Sequence, residues 1–179
     1  MENFLNYLIT TNYSIHHIKK GLPDKEYINL KINEENIYDI NDYVIEDVIS
    51  EGNCGYRALS LQLYKTEDKY DSIRKNVYNY LNNNRNQYAH LSFQYNGELI
   101  SANEYIDKIK NNNEWMGDLE ISICSIIYNF NLLLFEISFN DNLSLINKYG
   151  DIKDNKILLT LCYVNQSHFK VLYEKTDNK

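Results

Sequence analysis

Three cysteines and four histidines are the residues of this 179-residue chain best suited to nucleophilic or metal chemistry, and their spacing favours the first. Cys54, Cys124 and Cys162 stand far apart, form no CxxC pair, and leave His16-His17 without a cysteine nearby, so no metal site is expected. Their odd number also argues against a disulfide framework and suits a reducing compartment. Cys54 follows the turn-forming triplet Glu51-Gly52-Asn53, between a β-prone segment and a helical pattern. The first turn of a helix offers unpaired N–H groups and a partial positive charge, which lower a thiol pKa and can hold an oxyanion. A glycine before the nucleophile lets a substrate backbone come close. Cys124 and Cys162 fall inside apolar helical and strand patterns and read as packing. Of the histidines, His16, His17 and His90 lie in polar surroundings, whereas His168 opens a late strand after Asn165-Gln166-Ser167. A rigid sheet there would hold its ring as the base for Cys54. Spacing alone leaves this pair and a domain without catalysis both open.

The elements that must position these residues follow from hydrophobic period. Tyr43–Ser50 predicts a short strand. Helical spacing begins at Cys54 (Tyr56, Ala58, Leu59, Leu61, Leu63) and recurs over Tyr70–Asn82 through Ile73, Val77, Tyr80 and Leu81. A third helix is expected over Ser101–Asn111, with Ser101 as N-cap and Glu104 closing a capping box. A fourth runs from about Asp118 to Tyr128. The period then changes: Asn131–Ser138, Lys156–Tyr163 and His168–Tyr173 read as strands, the last two joined by the Val164–Ser167 turn. Helices first and strands later predict an α+β fold, helices packed on a small, mostly antiparallel sheet. Residues 1–42 form an accessory lead-in with a helical stripe over 1–20 and apolar alternation over 27–32; residues 43–175 form the main domain, and 176–179 a tail.

Composition narrows the partners. Hydrophobic residues at 44% suffice for one core. A net charge of −7 argues against nucleic acid and suits a basic partner. No segment reaches the roughly 18 apolar residues of a membrane span, and the N-terminus lacks a basic n-region, so a cytoplasmic location is expected. The Asn, Ile, Lys and Tyr usage resembles that of an A+T-rich genome, and the runs at 82–84 and 111–113 read as drift on solvated turns.

Three blocks, in order, resemble the ovarian tumour (OTU) family of cysteine proteases. They are Glu51-Gly52-Asn53-Cys54-Gly55-Tyr56-Arg57-Ala58, Trp115-Met116-Gly117-Asp118-Leu119-Glu120, and Ser167-His168-Phe169; Ile73-Arg74 is similar to a further recurrent pair. The resemblance spans roughly residues 43–175. It implies a papain-like thiol hydrolase, without metal or organic cofactor, cleaving isopeptide or peptide bonds after the C-terminal glycine of ubiquitin or a ubiquitin-like modifier. Cys54 would attack, His168 would take its proton, and a thioester would form and hydrolyse. The Cys54 N–H and the Glu51–Asn53 loop (Gly52 and Asn53 included) would hold the oxyanion and substrate. Trp115 and Gly117 would wall the site, unless Trp115 is simply core.

Two positions depart from the family pattern. Glu51 replaces an aspartate in the oxyanion loop, and Lys170 stands where an acid or amide two residues after the histidine would orient the ring. Lysine has no acceptor for an imidazole N–H. Asn165 and Asp47 are the alternative orienters; otherwise the site works as a dyad. Two rival functions remain beside the deubiquitinase: a ubiquitin-binding module with little or no catalysis, and a viral-type polyprotein protease on the same fold. The isolated small domain suits a viral or parasite effector acting in a host cytoplasm.

Overall fold

A computed structural model describes residues 37–137, 142–150, 156–165 and 167–175. The stripe over 1–20 and the alternation over 27–32 lie outside the described residues, as does the tail.

The helices arise where the apolar stripes are. Helix α1, Cys54–Tyr64, buries Tyr56, Ala58 and Leu59 and stops at Lys65, whose φ of 61° is left-handed and whose N–H closes on the Leu61 carbonyl. Helix α2, Tyr70–Asn83, buries Ile73, Val77 and Leu81, one residue per turn along a single face. A short α3, Arg85–Tyr88, leads to a hairpin of β3, Ser92–Tyr95, and β4, Glu98–Ser101. Asn96 and Gly97, both at positive φ, make its turn. Helix α4, Ala102–Ile109, starts from the expected capping box: Glu104 N–H donates to Ser101 Oγ, and Ser101 N–H donates to Glu104 Oε2. Helix α5, Asp118–Tyr128, is buried almost all round and ends at left-handed Asn129.

A six-stranded sheet packs against these helices. Its members are β1, Ile37–Tyr38; β2, Tyr43–Glu46; β5, Phe130–Ile137; β6, Leu143–Tyr149; β7, Ile157–Val164; and β8, His168–Glu174. The order is β1-β6-β5-β7-β8-β2, antiparallel except for the β5–β7 pair. The predicted α+β arrangement is therefore what forms. Residues 37–42, assigned to the lead-in on sequence, supply β1 and a 3-10 turn to this sheet. Strand period divides the core. Leu159, Leu161, Tyr163, Phe169 and Val171 join the large cluster under the helices, while Cys162, Leu172, Phe135 and Leu143 form a second cluster. Cys124 and Cys162 are fully buried within these clusters, and all three cysteines are free. No helix among the described residues is long and apolar enough to cross a membrane.

The acid Glu120 lies deep in the helical layer. Glu120 accepts hydrogen bonds from the Tyr105 hydroxyl at 3.0 Å on both carboxylate oxygens and is 1% exposed. Burial pushes its pKa up to about 7, against the opposing pull of backbone N–H groups, Tyr105 and the Arg74 charge. The folded state thus holds a proton that the unfolded chain releases near 4.5. Stability from this group is present below that value and declines as pH rises to about 7. Glu120→Gln is expected to flatten this part of the profile, so that thermal melting at pH 5 and pH 8 differs less in the variant than in the wild type.

Candidate functional site

The strand-to-helix junction is built by hydrogen bonds that leave little freedom. Beyond β2 the chain runs through residues 47–53, and the Cys54 N–H donates to the Glu51 carbonyl at 3.0 Å while the Arg57 N–H donates to the Asn53 carbonyl at 2.9 Å. The Cys54 N–H expected to hold an oxyanion is thus engaged within the chain. Glu51 accepts from Arg57 Nε at 2.7 Å and from Asn53 Nδ2 at 3.1 Å, so its longer side chain ties the loop to α1. Its pKa is lowered, chiefly by the Arg57 hydrogen bond.

Of the two residues expected to meet substrate, Asn53 is turned inward and Gly52 is half-buried against the chain's own loop. Asn53 is 2% exposed; its amide group donates to Glu51 and to Asn113 Oδ1, and its oxygen accepts from Arg74 at 2.7 Å and from the Asn113 N–H at 3.3 Å. A Cβ on Gly52 would lie 1.8 Å from the Asn113 carbonyl oxygen, so the close approach glycine permits is made by the chain's own loop. A Cβ on Gly55 would lie 2.9 Å from Met116 Cβ and 3.2 Å from a Phe169 ring carbon. Glycine there lets α1 settle close to β8. The asparagines at 111–113 are accordingly not mere drift: Asn113, at φ 72°, is half of this contact.

In sequence Arg74 is marked only as half of the pair Ile73-Arg74. It is 2% exposed, donates to Asn53 Oδ1, to the Glu114 carbonyl at 2.6 Å and to the Ile109 carbonyl at 3.2 Å, and lies 4.1 Å over the Tyr56 ring. It joins α2, the Cys54 loop and the segment before α5. In that segment Trp115 is 44% exposed, so the core alternative for it is discarded, while Met116 beneath it is buried. Gly117, buried and extended, caps α5 by accepting the Ile121 N–H at 3.1 Å.

Cys54 is 5% exposed. Burial raises its thiol pKa, and the N–H groups of Phe169, Gly55 and Cys54 itself only partly offset that, with the Glu51 charge adding to the rise. The lowered value expected from the helix terminus is therefore not found: in this resting state desolvation outweighs the dipole. The thiol lies within reach of the N–H of Phe169, the residue after His168.

His168 Nε2 is 2.7 Å from Asp47 Oδ1, and its Nδ1 is buried without a hydrogen-bond partner among the described residues. Lys170 Nζ donates to Asp47 Oδ2 at 2.8 Å. Asp47 Oδ1 also accepts the Val48 N–H at 2.9 Å. The Lys170 hydrogen bond, followed by that of His168, lowers the Asp47 pKa to about 2. Of the two alternative orienters, Asp47 reaches the ring; Asn165 is exposed in the turn at φ 52°. Among the described residues no group of three or more His, Cys, Asp or Glu is arranged to hold a metal ion.

The sequence profile of OTU-like cysteine proteases matches residues 49–172, which include Cys54, Trp115 and His168. The chain belongs to that family. Mouse OTU domain-containing protein 4 is 26% identical over 132 residues, covering 72% of this chain and 11% of the relative. Arabidopsis thaliana ovarian tumor domain-containing deubiquitinating enzyme 10 is 22% identical over 156 residues, 87% of this chain and 41% of the relative. The match thus covers less than half the length of each of these relatives. Among solved structures, the viral OTU domain protease of Dera Ghazi Khan virus superposes with a TM-score of 0.63 at 23% identity, covering 79% of this chain and 88% of that one. The Hazara virus OTU, solved bound to ubiquitin, gives 0.63 at 19% identity, covering 79% and 88%. The fold is therefore OTU-type.

Because Arg74 donates to three acceptors around the OTU loop, Arg74→Met removes its hydrogen bonds to Asn53 Oδ1 and to the Ile109 and Glu114 carbonyls. It is expected to cost about 1–3 kcal/mol in urea unfolding, the range for leaving a buried acceptor without its donor. A loss within 1 kcal/mol would show that the loop holds without it.

Proposed function

We propose that this OTU domain is a thiol hydrolase that cleaves isopeptide or peptide bonds after the C-terminal glycine of ubiquitin or a ubiquitin-like modifier. Cys54 is its nucleophile, His168 its base and Asp47 the group that orients His168. The observation that carries the reading is the contact of the His168 ring with Asp47. The carboxylate at Nε2 can only accept, which favours the hydrogen on that nitrogen and would leave the lone pair on Nδ1, buried and without a hydrogen-bond partner among the described residues. A base needs a lone pair held in one place and not already committed.

The chemistry balances on these residues. The Cys54 thiol gives its proton to His168 Nδ1, and the thiolate sulfur bonds to the carbonyl carbon of the scissile amide. The tetrahedral intermediate collapses as the amine leaves with the proton from His168, producing a thioester. Water, deprotonated by His168, then breaks the thioester and frees the modifier's carboxylate and the thiol. The Cys54 N–H serves the oxyanion only after leaving the Glu51 carbonyl, to which it now donates. Trp115, exposed beside buried Met116, offers an apolar wall to the entering peptide.

Substrate class is supported by fold and charge. The Hazara virus OTU and a Wolbachia pipientis OTU deubiquitinase are both solved bound to ubiquitin. A net charge of −7 suits a basic C-terminal tail. A cytoplasmic setting, with its ubiquitin conjugates and reducing conditions, fits three free cysteines.

A second reading draws on the raised thiol pKa of a nearly buried Cys54: a ubiquitin-binding module that turns over slowly. Ubiquitin carrying an electrophile at its C-terminus separates the two. Under the enzyme reading the wild type forms one adduct by intact mass, Cys54→Ala forms none, and His168→Ala forms it slowly. Asp47→Ala is expected to slow it by about tenfold or more, since an unoriented ring loses the correct tautomer; Asn165→Ala leaves the rate unchanged. No adduct from a folded wild type that still binds ubiquitin selects the binding module.

A further inference from the structure

We infer that Lys170 is a positioning residue of this site: its ammonium holds one oxygen of the Asp47 carboxylate so that the other meets the His168 ring. The inference rests on the roles proposed above for His168 and Asp47.

The register of the sheet makes the arrangement. Strand β8 pairs with β2 with Glu46 opposite Val171, so the residue that follows β2 arrives opposite Lys170. His168 and Lys170 are two apart on β8 and share a face. Asp47 therefore meets both from the neighbouring chain segment, its Oδ1 at 2.7 Å from His168 Nε2 and its Oδ2 at 2.8 Å from Lys170 Nζ.

Asp47 needs such a hold. Its side chain is 60% exposed and it lies beyond the last residue of β2, where neither packing nor the ladder fixes χ1. The Val48 N–H binds the same oxygen that faces His168, and so leaves the plane of the carboxylate free to swing. Lys170, at 26% exposure, supplies a point on the other oxygen and removes that freedom. It also keeps the carboxylate ionised, since its hydrogen bond is the first cause of the depressed Asp47 pKa. Ion pairs as exposed as this one contribute little to stability, so the pair is explained by orientation rather than by the fold.

Lys170 thus resolves the departure that its position presents. A lysine two residues after the histidine cannot accept from the ring, but it can fix an acceptor delivered by the adjacent strand. The acceptor comes from the residue after β2, and the cation stands on β8 where the family pattern has an acid or amide.

The test uses the full chain and two readouts on resting protein: the His168 tautomer, from two-bond ¹H–¹⁵N correlation, and the rate of Cys54 alkylation by iodoacetamide. The wild type is expected to show the Nε2–H tautomer alone. Lys170→Met is expected to mix tautomers and slow alkylation about tenfold, with melting temperature little changed. Lys170→Arg is expected to restore both readouts, and Lys170→Met is expected to add nothing in an Asp47→Ala background. The inference is overturned if Lys170→Met keeps the wild-type tautomer and rate. It is equally overturned if the substitution slows alkylation as much without Asp47 as with it. Lys170→Gln, which keeps the stem and loses the charge, makes the same comparison should the Met variant melt early. Because the tautomer is read without substrate, a chain that forms no ubiquitin adduct would sink the hydrolase reading and still report on Lys170.

Discussion

A guanidinium taken out of water must find acceptors in fixed places, and the way Arg74 does so organises the loop around Cys54. Its desolvation is costly unless the acceptors are close and well aimed. Here they are the Asn53 side chain and two backbone carbonyls, of Ile109 and Glu114, with the Tyr56 ring as a fourth contact. Each comes from a different part of the chain: the loop before α1, the end of α4, the approach to α5, and α1 itself. Moving any one would leave a buried charge short of a partner. The constraint therefore passes from Arg74 to Asn53, from Asn53 to Asn113 and Glu51, and so to the first turn that carries Cys54.

The two halves of the site are held by different physics. On the Cys54 side the groups are buried, mutually bonded and closely packed, and Gly52 and Gly55 are where backbone and side chains come too near for a Cβ. On the His168 side the hold is an exposed carboxylate shared between His168 and Lys170. A buried network is rigid but raises the thiol pKa by excluding water. An exposed ion pair is weak in stability, while a choice between two ring tautomers needs only a small energy difference. The site joins a stiff Cys54 loop to a lightly tethered histidine.

Much of the fold was legible in sequence because it depends on local period. The stripes through Ile73, Val77 and Leu81, and the Ser101–Glu104 pair, mark helices whatever lies around them. The β3–β4 hairpin was missed although Asn96-Gly97 between short alternating runs is the usual turn signal. Strand β6 carries Ser144, Asn147 and Lys148 among its apolar residues, and it becomes a strand because β5 and β1 flank it. Cys54 and His168 stood out by residue type and setting. Arg74 did not, since a buried arginine in an amphipathic helix has the same sequence as an exposed one. Asn113 was hidden by the asparagine-rich composition around it.

Asp47 shows most plainly what sequence period leaves unsaid. As one acid among many in a charged stretch it had no local mark beyond lying before the cysteine. Its role comes from strand pairing: β2 joins the sheet at the edge beside β8, in the register that opposes Glu46 to Val171. A shift of one residue would turn Asp47 away from the face shared by His168 and Lys170. The apparent defect at Lys170 and the unremarkable acid at Asp47 are therefore one feature, invisible until the two strands are laid side by side. The residue that follows β2 delivers one carboxylate within reach of both side chains of β8, and the 2.7 Å and 2.8 Å contacts are the result.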